Sequence, residues 1–206
     1  MSKTNAAKII SDLKEGNLRF LNGQSLQTST SSLAKLKKYA EKGQFPKAIV
    51  LCCSDSRAPV EYIFDQDIGD LFVIRVAGNI VAPSLIGSIE FAASLFKTSL
   101  VLVMGHSGCG AVTATLANIM DTHVPSSENI HDIVSRIKPH VYSIAHMDQL
   151  SESEKLDMAI EANVRASVGQ IESSSRMIEE LVRNETLMVV GAVLDLSTGQ
   201  VAFLES

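Results

Sequence analysis

Cysteine is scarce in this 206-residue chain: only Cys52, Cys53 and Cys109 are present. An odd, sparse set does not make a disulfide framework, and a chain of this length buries enough surface to fold without one. No C-x-x-C pair occurs, which argues against dithiol redox chemistry, and a disulfide between the adjacent Cys52 and Cys53 would be strained. No apolar run reaches the roughly 18 residues of a membrane span. The first residues alternate apolar and polar and lack the apolar core of a signal peptide. Positive charge is not in excess: net charge is −5 and the pI about 5.5. A nucleic-acid or anionic-membrane binder would carry a basic surface, so neither partner is expected. Tryptophan is absent altogether. These absences point to a cytoplasmic protein, and an apolar content of 46% is that of an ordinary globular one. The length fits a single domain over 1–206, with 1–43 as an N-terminal helical arm.

Apolar periodicity supplies the elements. Ala6, Ile9, Ile10, Leu13, Leu18 and Phe20–Leu21 recur at helical steps up to Gly23, and a second helix fits Ser32–Lys42 before Gly43. Ala48–Cys53, Leu71–Val76, Ser99–Gly105 and Thr186–Leu194 are continuous apolar runs, as expected of strands buried on both faces. Val201–Leu204 is a short fifth strand, joined to the fourth through a segment of hairpin-turn composition, Asp195–Gly199. Helical patterns separate the strands at Ser84–Phe96, at Gly110–Ile119 and over Ser153–Asn184, the last with a break expected near Gly169. Asp121–Leu150 has no readable period and is left as irregular or helical. The alternation predicts an α/β fold with a mostly parallel central sheet flanked by helices and an antiparallel edge strand near the C-terminus.

Three segments follow predicted strands and carry the reactive side chains: Cys53-Ser-Asp-Ser-Arg57, Arg75-Val-Ala-Gly-Asn79 and Gly105-His-Ser-Gly-Cys-Gly110. In an open parallel sheet ligands bind beyond the carboxyl ends of the strands, so Cys53, Asp55, Arg57, His106 and Cys109 are placed to converge. Two thiolates and an imidazole suit Zn²⁺, and three protein ligands leave one position open, the pattern of a catalytic site. Cys52 should point the other way along the strand, into the core. The open position fits water or the Asp55 carboxylate. An ion pair with Arg57 would hold Asp55 ionised and off the metal, free to orient a zinc-bound hydroxide; breaking the pair would let Asp55 ligate and close the site. Each motif alone is a weak sign, since a lone buried Cys is usually packing and an Asp-x-Arg pair is usually on the surface. His123, His131, His140 and His146 have no matching partner spacing and are read as surface or core residues.

At these residues the sequence resembles the β-class carbonic anhydrases. Cys53-Ser-Asp-Ser-Arg57 and His106-Ser-Gly-Cys109 stand as that family's two motifs. Gly16-Asn-Leu-Arg-Phe20, Ile160-Glu-Ala-Asn-Val164, Gly191-Ala-Val-Leu-Asp195 and Thr198-Gly199 extend the likeness over nearly the whole chain. The resemblance implies reversible hydration of CO₂ to bicarbonate, one Zn²⁺ per subunit, and a homodimer or dimer-based higher oligomer with active sites near the subunit interface. It implies Cys53, His106 and Cys109 as ligands, Asp55 and Arg57 as a catalytic dyad, and Asp55 as the fourth ligand of a closed form. Gln44 matches the substrate glutamine of plant-type, open-site members. Phe72 and Phe91 match apolar pocket positions, with Phe91 where tyrosine is common; CO₂ would then sit near Val76, Phe72 and Phe91, and backbone amides near Gly110 would orient bicarbonate. One subgroup is shut by bicarbonate at a site needing a Trp three residues before the first cysteine; Val50 stands there, so that site is not expected. Some close relatives hydrolyse COS or CS₂ with the same ligands, which is the alternative substrate class.

Overall fold

The computed structural model describes residues 3–26, 29–122 and 124–205. Two helices, α1 (Lys3–Leu21) and α2 (Ser29–Lys42), precede the first strand, β1 (Ala48–Cys52). There follow a short helix α3 (Val60–Ile63), β2 (Leu71–Arg75), a 3₁₀ turn at Ala77–Asn79, α4 (Pro83–Leu95) and β3 (Leu100–His106). Helices α5 (Gly110–Ile119), α6 (Glu128–Ala145), α7 (Glu152–Glu172) and α8 (Arg176–Arg183) lead to β4 (Met188–Leu194) and β5 (Val201–Phe203). Among the described residues no helix is long and apolar enough to cross a membrane.

The strand order is β2-β1-β3-β4-β5. The first four strands are parallel, and β5 returns antiparallel on β4, as the hairpin composition predicts. Every residue of β1 and of β3 is buried. Period-2 alternation splits β1 cleanly between two layers. Ala48, Val50 and Cys52 pack with Ala6, Ile9 and Leu13 of α1 and with Val60 and Ile63 of α3. Ile49 and Leu51 pack with Ile89 and Ala92 of α4, Val164 and Ile171 of α7 and Ile178 of α8. A third cluster joins α5, α6 and α7 and contains Cys53 and Cys109. The chain passes from β1 outward to β2 and then back across β1 to β3, so strand order reverses between β1 and β3. The crevice at their carboxyl ends is where such sheets bind ligands.

The segment without a readable period is mostly α6. Val134, Ile137, Val141 and Ile144 are buried at helical steps, and Ser127 caps the helix by accepting from the Ile130 amide. The break expected near Gly169 is elsewhere: α7 runs through Gly169 and ends at Glu172. Three serines end it, because hydroxyls compete for backbone groups. Ser173 donates to the Gly169 carbonyl, Ser174 donates to the Ile171 carbonyl, and Ser175 caps α8 by accepting from the Ile178 amide.

Candidate metal centre

Cys53 lies one residue beyond β1, so it faces away from Cys52. Cys52 packs in the apolar layer under α1, where burial pushes its thiol up to about 12. Cys53 instead meets Cys109 and His106: the three ligand atoms lie within 4.8 Å of one another, and all three residues are buried. His106 is the last residue of β3. Its Nδ1 stands 3.0 Å from the Ser107 carbonyl, which can only accept, so Nδ1 carries the hydrogen. Ser107 is itself fixed, with its amide on the Leu194 carbonyl at 2.8 Å and its hydroxyl accepting from the Leu196 amide at 2.9 Å. Gly108, at φ +64°, lets the chain turn from strand to helix and sets Cys109 at the N-cap of α5.

The Cys109 thiol stabilises a Cys53 thiolate and is itself pushed up by that charge; burial opposes the Cys53 shift, while His106 and the Gly78 amide, 3.4 Å from the Cys53 sulfur, assist it. Burial opposes protonation of His106, yet the Cys53 sulfur and the Ser107 carbonyl outweigh it and raise its proton affinity. His106 Nε2 nevertheless makes no hydrogen bond and is shut off from solvent. An orphaned, buried imidazole nitrogen facing two sulfurs is a poor arrangement for packing and a good one for a borderline-soft cation.

Asp55 and Arg57 form a fork beside this cluster. Asp55 Oδ1 accepts from the Arg57 amide and Nε at 2.9 Å each, and Oδ2 accepts from Arg57 Nη2 at 2.7 Å. The Arg57 guanidinium, against the opposing effect of burial, holds the Asp55 carboxyl well below the usual carboxylate range. Asp55 Oδ2 lies 3.8 Å from His106 Nε2, close to the ligand set yet turned to Arg57.

Arg75, which opens the Arg75–Asn79 segment, has a structural task that sequence reasoning left unassigned. Its Nε donates to the Cys53 carbonyl at 3.1 Å and its Nη2 to the Asp55 carbonyl at 2.6 Å, so one side chain braces both. A lone arginine closing an otherwise apolar strand was the available sign. Val76 packs with the cluster that contains Cys53 and Cys109, and Gly110 opens α5 with free space where a Cβ would point.

Gln44, Phe72 and Phe91 are not brought to this centre within one chain. Gln44 is exposed and precedes β1, at the end of the strand opposite Cys53. Phe72 pairs with Ile49, three steps or about 10 Å from the Arg75–Cys52 pair. Phe91 meets Phe72 at a tilt and Phe96 edge-on and is 53% exposed. His131 and His146 are exposed, His140 is half-buried against Gln170, and His123 lies outside the described residues.

The family model described as "Carbonic anhydrase" matches residues 48–201. The chain is 36% identical over 200 residues to carbonic anhydrase 2 of Mycobacterium tuberculosis, covering 97% of this chain and 93% of that protein. It is 29% identical over 212 residues to beta carbonic anhydrase 3 of Arabidopsis thaliana, covering 95% of this chain and 77% of that protein. Among solved structures, a tetrameric β-carbonic anhydrase of Sordaria macrospora superposes with a TM-score of 0.73 at 26% identity, over 86% of this chain and 94% of that one. The chain belongs to the carbonic anhydrase family, in its β class.

Proposed function

We propose that this protein interconverts CO₂ and bicarbonate on a zinc ion held by Cys53, His106 and Cys109. The observation that carries the reading is a buried Cys-Cys-His set with an unsatisfied His106 Nε2, bordered by a carboxylate locked onto an arginine. When bound, zinc supplies a Lewis acid that makes water nucleophilic near neutral pH and steadies negative charge developing on the substrate. Asp55 accepts a hydrogen bond from the attacking water and aims its lone pair at CO₂. Arg57 keeps Asp55 ionised and away from the ligand set; release of the fork would let Asp55 become a fourth ligand and close the site. Val76 lines the apolar side of the CO₂ pocket. The Gly110 amide, at the positive end of the α5 dipole, donates to a bicarbonate oxygen.

Gln44, Phe72 and Phe91 join the same site from a second copy of the chain. Their distance from Cys53 within one chain and the exposure of Phe91, Leu95 and Phe45 support this, and the Sordaria relative is tetrameric. The assembly is thus a homodimer or is built from one. Three cysteines without a disulfide fit a cytoplasmic location.

Stopped-flow CO₂ hydration with a pH indicator, on protein of measured zinc content, tests the reading at pH 7 and pH 8.5. Fast turnover at both is expected, because the fork with Arg57 engages both Asp55 oxygens and holds the carboxylate off the ligand set. Activity confined to the higher pH would instead mean that Asp55 closes onto the metal. A zinc-loaded protein inactive at both would overturn the assignment, and COS and CS₂ assayed in parallel would identify the substrate class that replaces it.

A further inference from the structure

A buried polar path leads from α7 to the Cys53 sulfur through the Ala77–Asn79 turn. Asn163 Nδ2 donates to the Gly78 carbonyl at 2.8 Å, and Ser167 Oγ donates to the Asn79 carbonyl at 3.1 Å. The Gly78 amide then donates to Cys53 Sγ at 3.4 Å. Asn163 and Ser167 are one helical turn apart and each is 2% exposed. They sit among apolar α7 residues, Ala159, Ile160, Val164 and Ile171, where an unbonded polar group would be costly. Both spend their hydrogen bonds on the same turn.

That turn needs holding. Gly78 at φ +69° and Asn79 at φ +43° are successive left-handed residues, and a non-glycine residue keeps such a conformation only where its surroundings fix it. A Cβ at position 78 would meet Ile137 Cδ1 at 2.8 Å, so the turn is also packed to contact against α6. The amide that meets the sulfur and the carbonyl that Asn163 holds thus lie in the two peptide units that flank the Gly78 Cα, so anchoring the turn through its carbonyls fixes the unit that carries the amide.

We propose that Asn163 and Ser167 are positioning residues for the metal centre: by pinning the carbonyls of the 77–79 turn they aim the Gly78 amide at Cys53 and set that sulfur's orientation and charge donation. The inference rests on the zinc reading above and deepens it. Two thiolates give an ion more charge than imidazoles would and weaken it as a Lewis acid. An amide hydrogen bond to one sulfur withdraws part of that charge, as groups behind a metal's ligands commonly do.

The test uses the full-length protein loaded with Co²⁺, read by its thiolate-to-cobalt charge-transfer band and by the rate of metal loss to a chelator. Asn163→Ala is expected to shift the band and to speed metal loss about tenfold, the range seen when support of a ligand is removed. Ser167→Ala should do the same more weakly, and Ser167→Thr, which keeps the hydroxyl, should restore both. Ile171→Ala, a cavity on the same helix in the other core cluster, should lower the melting temperature and leave band and rate unchanged. If Asn163→Ala does not fold, the Ser167 pair carries the comparison. A native band and native loss rate in folded Asn163→Ala or Ser167→Ala would overturn the inference, as would equal changes in Ile171→Ala. A native chain that shows no thiolate-to-cobalt band fails differently: it removes the metal reading itself.

Discussion

Adjacent cysteines with opposite fates show how much one residue step decides here. Cys52 faces the apolar layer under α1 and Cys53 the metal centre, because side chains alternate along β1. Cys109→Ala should therefore lose stoichiometric zinc, whereas Cys52→Ala should keep it and cost only about 1 kcal/mol of core packing. Zinc analysis after dialysis, with a urea titration of each variant, checks both. Asp55→Ala should keep zinc and lose most turnover, since Asp55 lies beside the ligand set without joining it. Wild-type-like CO₂ hydration in that variant would remove Asp55 from the mechanism.

A second carboxylate offers a pH test that does not involve the site. The Asp65 side chain has no exposed surface and is bonded to Arg19, Ser25 and the Leu26 amide. Burial alone would raise its pKa; these bonds outweigh burial and hold it below the usual range. A folded-state pKa below the unfolded one of about 3.9 gives stability that is fully present above that value and lost as pH falls through the folded one. Arg19→Ala, which leaves the buried Asp65 carboxylate without its cationic partner, should cost about 3 kcal/mol at pH 7, the low end for a broken buried pair because Arg19 is itself partly exposed. The deficit should shrink toward pH 3; urea midpoints at the two pH values measure it, and a deficit that grows on acidification would contradict the sign.

Among elements, the continuous apolar strands were legible because runs such as Leu100–Met104 are too short for a buried helix and carry β-branched residues. The centre was legible because its residues follow those strands directly. Helix α6 was hidden although Val134, Ile137, Val141 and Ile144 keep a helical step: Pro139 lies inside it, and polar residues at both ends blur its limits. The end of α7 was misplaced because glycine reads as a breaker, whereas the competing hydroxyls of Ser173, Ser174 and Ser175 do the breaking. Opposite outcomes test this. Gly169 is helical and nothing lies within 4 Å of where its Cβ would be, so Gly169→Ala should stabilise the protein by about 0.5–1 kcal/mol. Ser175→Ala removes the cap of α8 and should cost about 1 kcal/mol. Thermal unfolding of the two variants decides it, and a destabilised Gly169→Ala would return the break to the glycine. The brace from Arg75 was signalled only by an arginine ending an apolar strand and the path from Asn163 not at all, since each depends on which carbonyls the turns bring within reach.

For the whole molecule, one chain leaves the proposed pocket half built. Cys53, His106, Cys109, Asp55 and Val76 gather at the carboxyl end of β1 and β3, while Gln44, the half-buried Phe72 and the exposed Phe91 stand away from it. If a second copy closes the pocket, Gln44 acts on the partner's zinc, and mutations on different chains combine in a way that mutations within one site cannot. Take Gln44→Ala with a fraction q of native turnover and Asp55→Ala with almost none. In a purified heterodimer of the two, a pocket shared between chains leaves one site with both native residues and the other with neither, so turnover per dimer is half of native whatever q is. A pocket built within one chain leaves each site with one defect, and turnover falls to half of q. Differently tagged chains, co-expressed and purified through both tags, give the two values directly. Phe91→Asp, which puts a charge on the exposed aromatic cluster, should in the same assembly lower the sedimenting mass and the turnover together. A monomeric Phe91→Asp with native turnover would place the whole pocket in a single chain.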